Sequence, residues 1–279
     1  MGVMFMTDLD GTLLGHEDFS FAPIRSDILE MVRAGIMIVP NSSKTRGEIT
    51  AFCDQLGVRL PFICENGAAL VNRELLGLPE PGEAADVVGL APDRLMTLWT
   101  RHVDGALRRH CHFLADLSVA VQSWHLGLRG AALDRAMTRD FTAPFVFAGS
   151  ETAFSALCRQ AGDGGLAVTR GGRVCNLSAR HDKAGFMTVL RAAYLAARRD
   201  LVIIGFGDSE NDIDMLETSD IACVVPRPGQ APLALTAPPP AVITATQVAP
   251  YGWLEAAQQA LSLLSEQTGP EDRKDMTHG

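Results

Sequence analysis

Met6-Thr7-Asp8-Leu9-Asp10-Gly11-Thr12-Leu13-Leu14 is the stretch that decides the fold we predict for this chain. It continues the apolar run Val3-Met4-Phe5-Met6, which is typical of a strand buried in a parallel sheet. Asp8 and Asp10 then lie at the carboxyl end of that strand, where open α/β sheets bind their ligands. Two carboxylates this close repel each other unless a cation lies between them. The stretch therefore predicts a site for a hard cation such as Mg²⁺.

The same two acids suggest a reaction. One carboxylate is able to act as a nucleophile and the other as a proton donor, as aspartyl-phosphate chemistry requires. For the Asp-x-Asp pair alone, a strand that ends in a solvated turn is an equally good interpretation. Gly11-Thr12-Leu13 directly after the pair makes the pattern more specific.

The composition is that of an ordinary globular protein, with 279 residues, 47% hydrophobic and 20% charged. This length fits one large domain or two modest ones. The net charge of −9 disfavours nucleic acid and anionic membranes as partners. We see no secretion signal and no apolar stretch near the ~20 residues that span a bilayer. Six scattered cysteines without a Cys-x-x-Cys pair favour buried thiols in a reduced, cytoplasmic protein.

A second strand, Ile36-Met37-Ile38-Val39, brings Pro40 to Thr45 to the same sheet edge. Ser42 and Ser43 then lie in a turn between this strand and a helix, where hydroxyls and free backbone N–H groups bind phosphate. The alternative is that Ser43 or Thr45 only caps the helix.

The middle of the chain has a different pattern. Phe62-Ile63-Cys64 and Ala69-Leu70-Val71 are predicted to form a hairpin, and residues 77–89 a linker. We then predict one long helix over residues 95–106, and either a helix or a strand at residues 119–121. Further helices and antiparallel strands, with a hairpin around Gly171-Gly172, indicate an inserted α+β domain.

The last third returns to alternating strands and helices. His181-Asp182-Lys183 is predicted to open a helix, and Leu201-Val202-Ile203-Ile204 is another apolar strand that leads to Asp208. The fold class we predict is α/β, a Rossmann-like doubly wound parallel sheet with an inserted α+β cap domain. The predicted core comprises residues 1–84 and 179–265, the cap residues 85–178, and a flexible tail residues 266–279.

If the first and last thirds form one sheet, four strand-end segments meet. Asp8 is then the candidate nucleophile and also a metal ligand, while Asp10 protonates the leaving alcohol and offers its carbonyl to the metal. Ser42 donates to a phosphoryl oxygen, and Lys183 neutralises charge on the phosphoryl group. Asp208 is the remaining metal ligand. The acidic run after it adds Asn211 and Asp212, which we predict to orient Lys183 or metal-bound water.

These segments resemble the motifs of the haloacid dehalogenase superfamily of phosphohydrolases, in the Cof-type group with a large cap. The resemblance is carried by Asp8-x-Asp10-Gly11-Thr12, by Ser42 after the second strand, by Lys183, and by the run Gly207 to Leu216. It implies the fold described above and a Mg²⁺-dependent phosphatase with a small phosphorylated substrate.

Within that group the chain resembles the mannosyl-3-phosphoglycerate phosphatases. The motifs concerned are Asn41 to Glu48, Pro61 to Ala68, Arg139 to Phe145, Gly171-Gly172-Arg173 and Gly252-Trp253. The resemblance implies hydrolysis of mannosyl-3-phosphoglycerate to mannosylglycerate. It also implies a set of substrate-binding residues, namely Ser43, Lys44, Glu65, Asn66, Arg139 and Arg173. An arginine fork suits a glycerate carboxylate because it binds both oxygens.

Two departures from the family pattern lie in the cap. The family usually has Arg-Glu-Tyr-Ser-Glu-Pro where this chain has residues 139–144, and often His where Asn176 stands. A glucosyl-3-phosphoglycerate or another hexose phosphate therefore remains an alternative substrate. A hexose phosphomutase on the same scaffold and a catalytically silent sugar-phosphate sensor are the alternative functions.

Overall fold

The computed structural model describes residues 2–78, 86–171, 173–231 and 233–267. Its strands are β1 Gly2–Thr7, β2 Met37–Pro40, β3 Phe62–Cys64, β4 Ala69–Val71, β5 Cys111–Phe113, β6 Thr142–Phe147, β7 Leu166–Arg170, β8 Cys175–Ala179, β9 Leu201–Gly207, β10 Ile221–Val224 and β11 Ala241–Thr244. Its α-helices are α1 Arg25–Arg33, α2 Arg46–Leu56, α3 Pro92–His102, α4 Gly105–Arg108, α5 Val119–Leu126, α6 Gly130–Met137, α7 Glu151–Asp163, α8 Gly185–Ala196, α9 Ile213–Thr218 and α10 Tyr251–Gln267.

The described residues divide into two compact units. The first unit contains residues 2–38 and 199–267, and the second contains residues 39–198. The predicted domain boundaries stay a prediction. The boundary after residue 84, most of the predicted linker and the predicted tail from residue 268 lie outside the described residues.

A five-stranded sheet in the order β11-β10-β9-β1-β2 forms the centre of the first unit. Strand β9 pairs in parallel with both β1 and β10, and β10 pairs in parallel with β11. These strands are continuous apolar runs because helices cover parallel sheets on both faces. The predicted α/β class with a parallel sheet is confirmed.

The second unit begins at residue 39, within β2, and Asn41 directly after this strand forms a bridge with Ile63 of β3. Strands β3 and β4 form the predicted antiparallel hairpin. Helix α2 begins after Thr45, whose hydroxyl accepts from the N–H of Glu48, while the Glu48 carboxylate accepts from the N–H of Thr45. This reciprocal capping box identifies Thr45, rather than Ser43, as the cap of α2.

A four-stranded antiparallel sheet in the order β5-β6-β8-β7 forms the rest of the second unit. Helices α3 and α7 pack on one of its faces. Their apolar side chains enclose a core with alternate residues of the strands, which include Phe145 and Leu177. The alternation arises because successive strand residues point to opposite faces. This mixture of helices and antiparallel strands has the predicted α+β character.

Three expectations for individual elements are corrected or decided by the structure. The predicted long helix 95–106 is divided into α3 and α4, because Val103 has extended backbone (φ −104°, ψ 127°). Residues 119–121 belong to helix α5, which ends at Gly127 in the left-handed region (φ +71°). Strand β5 was not predicted, since its three residues carry too short a pattern.

All six cysteines are free thiols, and four of them are buried. Burial raises the pKa of Cys64 to about 12, which keeps this thiol protonated and unreactive. None of the helices in the described part of the chain combines the length and apolar character that crossing a membrane requires.

Candidate active site

Two aspartates follow adjacent parallel strands of the first unit. Thr7 is paired with Phe206 in the register of β1 and β9, so Asp8 and Asp208 come directly after neighbouring strand ends. The N–H of Asp8 donates to the carbonyl of Phe206 at 3.0 Å, which extends the ladder by one bond. The sheet therefore presents both carboxylates at its carboxyl edge.

Asp212 completes a cluster with these two acids. One carboxylate oxygen from each of Asp8, Asp208 and Asp212 lies within 4.8 Å of the others, and all three residues are buried. Three buried carboxylates repel one another unless a cation is bound, and oxygen donors are the ligands that Mg²⁺ prefers. The donor set thus fits a divalent metal ion.

Two glycines lie close against the acid side chains of this cluster. A Cβ atom at Gly207 would lie 2.4 Å from the Cβ of Asp212, and one at Gly11 would lie 2.9 Å from an oxygen of Asp208. Gly11 also has φ +80°, which favours glycine. Larger residues at these two positions would push the acids apart.

The partners of the cluster fix its orientation. Thr12 donates its hydroxyl to Asp208 at 2.9 Å, and the N–H groups of Asp208 and Ser209 donate to one oxygen of Asp212 at 3.1 Å. The Arg227 Nε lies 2.8 Å from the other oxygen of Asp208 and forms an ion pair with it. Arg227 supplies a positive charge to an otherwise acidic group.

Sequence reasoning missed Arg227 and the position of Asp212 within the cluster. The sequence predicts that Asp212 orients other groups, and the structure adds it to the acid cluster. The predicted metal contact of Asp10, which is partly exposed, is through its backbone carbonyl and stays a prediction. Arg227 lies three residues after the end of strand β10. Val225, the first residue after that strand, donates its N–H to the carbonyl of Gly207. Examining the residues after every strand of the sheet, rather than acids alone, would have identified it.

Asn211 is exposed and lies in a short 3₁₀ turn between Asp208 and α9.

The second unit contains the other predicted site residues. The turn after β2 carries Ser42, Ser43 and Lys44, and its backbone pairs with the loop after β3. Asn66 donates its N–H to the Ser42 carbonyl, and Glu65 donates its N–H to the Lys44 carbonyl, both at 2.9 Å. Ser42 is buried, while Ser43 and Lys44 are half-buried. The two loops therefore form one hydrogen-bonded structure.

Glu65 is buried and its carboxylate accepts three hydrogen bonds from the start of β6. The donors are the N–H of Asp140 at 2.9 Å, the N–H of Phe141 at 3.2 Å and the hydroxyl of Thr142 at 2.5 Å. Arg139 donates to the Thr142 hydroxyl and to the Ser43 carbonyl. Both predicted substrate residues, Glu65 and Arg139, thus bond to protein groups of the second unit.

Arg173 is exposed and donates to the Leu126 carbonyl at the end of α5, where it also lies against Gly127.

Lys183, in contrast to Arg173, is almost completely buried, with 1% of its surface exposed. It lies two residues before α8, which begins at Gly185 rather than at the predicted His181. Asp182 accepts from the N–H of Ala184 and of Gly185, so it provides the turn into the helix.

His181 also lies in this turn. Its Nε2 is 3.0 Å from the Glu65 carbonyl, which only accepts, so Nε2 carries the hydrogen. Burial lowers the pKa of His181, and its interaction with Glu65 opposes that shift. The ring is therefore neutral at pH 7.

Comparison with known proteins agrees with this architecture. Residues 5–76 match the family model of haloacid dehalogenase-like hydrolases. Two relatives are named glucosyl-3-phosphoglycerate/mannosyl-3-phosphoglycerate phosphatase. The one from Methanococcoides burtonii is 28% identical over 81% of this chain and 85% of its own length. The one from Persephonella marina is 28% identical over 93% of this chain and 97% of its own.

Solved structures share the fold. A haloacid dehalogenase-like hydrolase from Bacteroides thetaiotaomicron has a TM-score of 0.61 at 16% identity and covers 95% of this chain and 100% of its own. The sucrose-phosphatase of Synechocystis sp. PCC6803 has a TM-score of 0.56 at 14% identity, with 93% and 98% covered. The matched residues 5–76, the two relatives named as phosphatases and the shared fold thus make this chain similar to the haloacid dehalogenase-like hydrolases.

Proposed function

We propose that this protein is a Mg²⁺-dependent phosphatase that hydrolyses glucosyl- or mannosyl-3-phosphoglycerate. The observation that carries the proposal is the buried cluster of Asp8, Asp208 and Asp212, because its oxygen donors suit a hard cation at the carboxyl edge of a parallel sheet. The names of two relatives that align over most of the chain support the substrate class. The cytoplasmic location expected from the cysteines is part of the same proposal.

Asp8 is the proposed nucleophile. One of its oxygens attacks the phosphorus, and the bond between phosphorus and the leaving oxygen breaks, which gives an aspartyl-phosphate. Asp10 gives a proton to the departing alcohol and later takes one from the water that hydrolyses the phosphoaspartate. Because the same carboxyl serves first as acid and then as base, it returns to its initial protonation state.

The remaining roles concern charge. Mg²⁺ held by Asp8, Asp208 and Asp212, with the Asp10 carbonyl as a further proposed ligand, would neutralise negative charge on the phosphoryl oxygens. The proposed part of Ser42 is to donate a hydrogen bond to the phosphoryl group, and that of Lys183 is to compensate its charge. Ser43, Lys44, Glu65, Asn66, Arg139 and Arg173 remain proposed ligands of the sugar and glycerate parts, and Asn211 remains proposed to orient neighbouring groups.

Phosphate release from a substrate panel tests the proposal. The panel contains glucosyl- and mannosyl-3-phosphoglycerate, glucose 6-phosphate, mannose 6-phosphate and sucrose 6-phosphate, each with Mg²⁺ and with EDTA. We expect the two glycosyl-phosphoglycerates to have the highest kcat/KM, with no turnover in EDTA. Asp8→Asn should lower kcat by roughly 10³-fold or more, since it removes the nucleophile. Asp18→Asn, at an exposed position, is the matched control and should retain activity.

Each contrary result has a defined meaning. An isomerised sugar phosphate without free phosphate would make the protein a mutase. Tight binding without turnover of any substrate in the panel would make it a sensor. Faster turnover of a simple hexose phosphate would overturn the proposed substrate, and full activity of Asp8→Asn would overturn the proposed nucleophile.

A further inference from the structure

The turn that carries Lys183 is held from three sides within the second unit. Asn41 donates its side-chain amide to the Lys183 carbonyl at 2.7 Å, and both residues are buried, with 0% and 1% of their surface exposed. Asn41 is the residue directly before Ser42. The bond therefore connects the turn after β2 with the turn before α8, across 142 residues of sequence.

The second contact is between two backbones. Gly67 has φ +98°, and a Cβ atom at this position would lie 1.9 Å from the Asp182 carbonyl oxygen. Only glycine permits so close an approach. The third contact is the hydrogen bond from His181 to the Glu65 carbonyl. Three consecutive residues, His181 to Lys183, are thus each fixed by a different partner.

We propose that Asn41 is a positioning residue for Lys183, with Gly67 and His181 supporting the same turn. This inference rests on the proposed function, in which Lys183 compensates phosphoryl charge. Compensation by a fixed charge depends on its distance and direction, and a displacement of about 1 Å is able to cost roughly 10²-fold in rate. The Lys183 side chain is almost completely buried and has little room to reorient, so the position of its ammonium group follows that of its backbone.

Asn41→Asp tests the contact with almost no change in shape. The substitution replaces the donor by a carboxylate oxygen that would face the Lys183 carbonyl at 2.7 Å, and the repulsion would displace the turn. We expect kcat for the panel's best substrate to fall by roughly 10- to 100-fold, with KM changed less than about twofold. Asn72→Asp is the matched control, because Asn72 donates the same kind of bond to the Leu60 carbonyl at 2.8 Å. It should retain the kcat of the unmodified protein.

A double-mutant cycle with Lys183→Met separates positioning from general stability. The measurement is the affinity for orthovanadate, a phosphate analogue, by titration calorimetry with Mg²⁺, which needs no turnover. Asn41→Asp should weaken orthovanadate binding roughly tenfold when Lys183 is present and less than about twofold when Lys183 is replaced. Equal weakening in both backgrounds would mean that Asn41 does not act through Lys183, and the inference would be wrong.

Two outcomes need separate treatment: a variant that does not fold, and an unmodified protein without phosphatase activity. If Asn41→Asp does not fold, Asn41→Ser, which removes the amide without adding volume, takes its place in both assays; unchanged kcat and affinity there would overturn the inference. If the unmodified protein turns over no phosphate ester, the proposed function fails. The calorimetric cycle still decides whether Asn41 positions Lys183.

Discussion

Glu65 connects several parts of the second unit through one residue. Its carboxylate accepts from the start of β6, its N–H donates to Lys44, and its carbonyl accepts from His181. It also has φ +50°, in the left-handed region, which is uncommon for a residue with a side chain. Strained backbone of this kind persists where surrounding contacts determine it, and it clusters at functional sites.

Glu65→Gln tests how much the buried carboxylate contributes. The N–H of Asp140 bonds one carboxylate oxygen, and the N–H of Phe141 and the hydroxyl of Thr142 bond the other. Whichever oxygen the new amide NH₂ replaces, it would face an N–H group, so at least one donor would lose its acceptor. We expect the free energy of unfolding to fall by about 2 kcal/mol, measured by urea denaturation. A role of Glu65 as a substrate ligand would add an increase in KM; an effect on stability alone would limit its role to holding β6.

Glu255→Gln is the matched control for this measurement. Glu255 accepts from the N–H and hydroxyl of Thr246 and from the N–H of Gln247, the same types of donor, and also from the Gln259 side chain, but in a solvent-exposed setting. Water is able to replace these bonds, so the loss of stability should stay below about 0.5 kcal/mol. Equal losses for the two variants would contradict the importance that we give to burial.

At the scale of elements, helix α10 is connected to β1, the strand directly before Asp8. Trp253 donates its indole N–H to the Thr7 hydroxyl at 3.0 Å, and this hydroxyl donates to the Asp8 carbonyl at 2.7 Å. The Trp253 ring packs against Phe5 of β1 and Phe206 of β9. These two consecutive hydrogen bonds connect the backbone of Asp8 to a residue near the other end of the sequence.

Thr7→Val removes the hydroxyl that these two hydrogen bonds share, at nearly constant side-chain volume. The Trp253 N–H, which is buried, would lose its acceptor, so we expect stability to fall by about 1 to 3 kcal/mol and kcat to fall as well. Trp253→Phe removes the N–H itself. Because both changes interrupt the same bonds, the double variant should be less destabilised than the sum of the single variants. Strict additivity in urea unfolding would refute the coupling.

The sequence is sufficient to predict elements that carry a long or repeated pattern. Apolar runs predict strands β1 and β9, and therefore locate Asp8 and Asp208 after strand ends. The break between α3 and α4 could not be predicted, because Val103 continues the apolar spacing and only its backbone angles end the helix. Strand β5 is too short to show a period.

At the scale of the whole molecule, pairings between distant residues were the least predictable part of the site. Glu65 contacts residues 140–142, Asn41 contacts Lys183, and Arg227 contacts Asp208. None of these pairs has a spacing that local pattern reveals, since each depends on which loops the completed sheets bring together. Chemistry at strand ends is predictable from sequence, whereas the groups that hold those ends in place require the fold.

The cluster of Asp8, Asp208 and Asp212 leads us to predict that Mg²⁺ raises the stability of the folded protein. Asp8, Asp208 and Asp212 come together only in the folded protein, so Mg²⁺ should bind the native state and not the unfolded state. A ligand of this kind stabilises by about 2.7 kcal/mol at a concentration 100 times its Kd. The melting temperature should therefore rise with added Mg²⁺ and return to its starting value with EDTA.

Asp212→Asn should reduce this Mg²⁺-dependent increase sharply, because it removes one charged donor from the cluster. Asp214→Asn, at an exposed position two residues further along, should retain it. Potassium chloride at the same ionic strength separates specific binding from screening of the net charge of −9. If the salt alone reproduces the increase, or if Asp212→Asn and Asp214→Asn respond equally, the three acids are not the metal site.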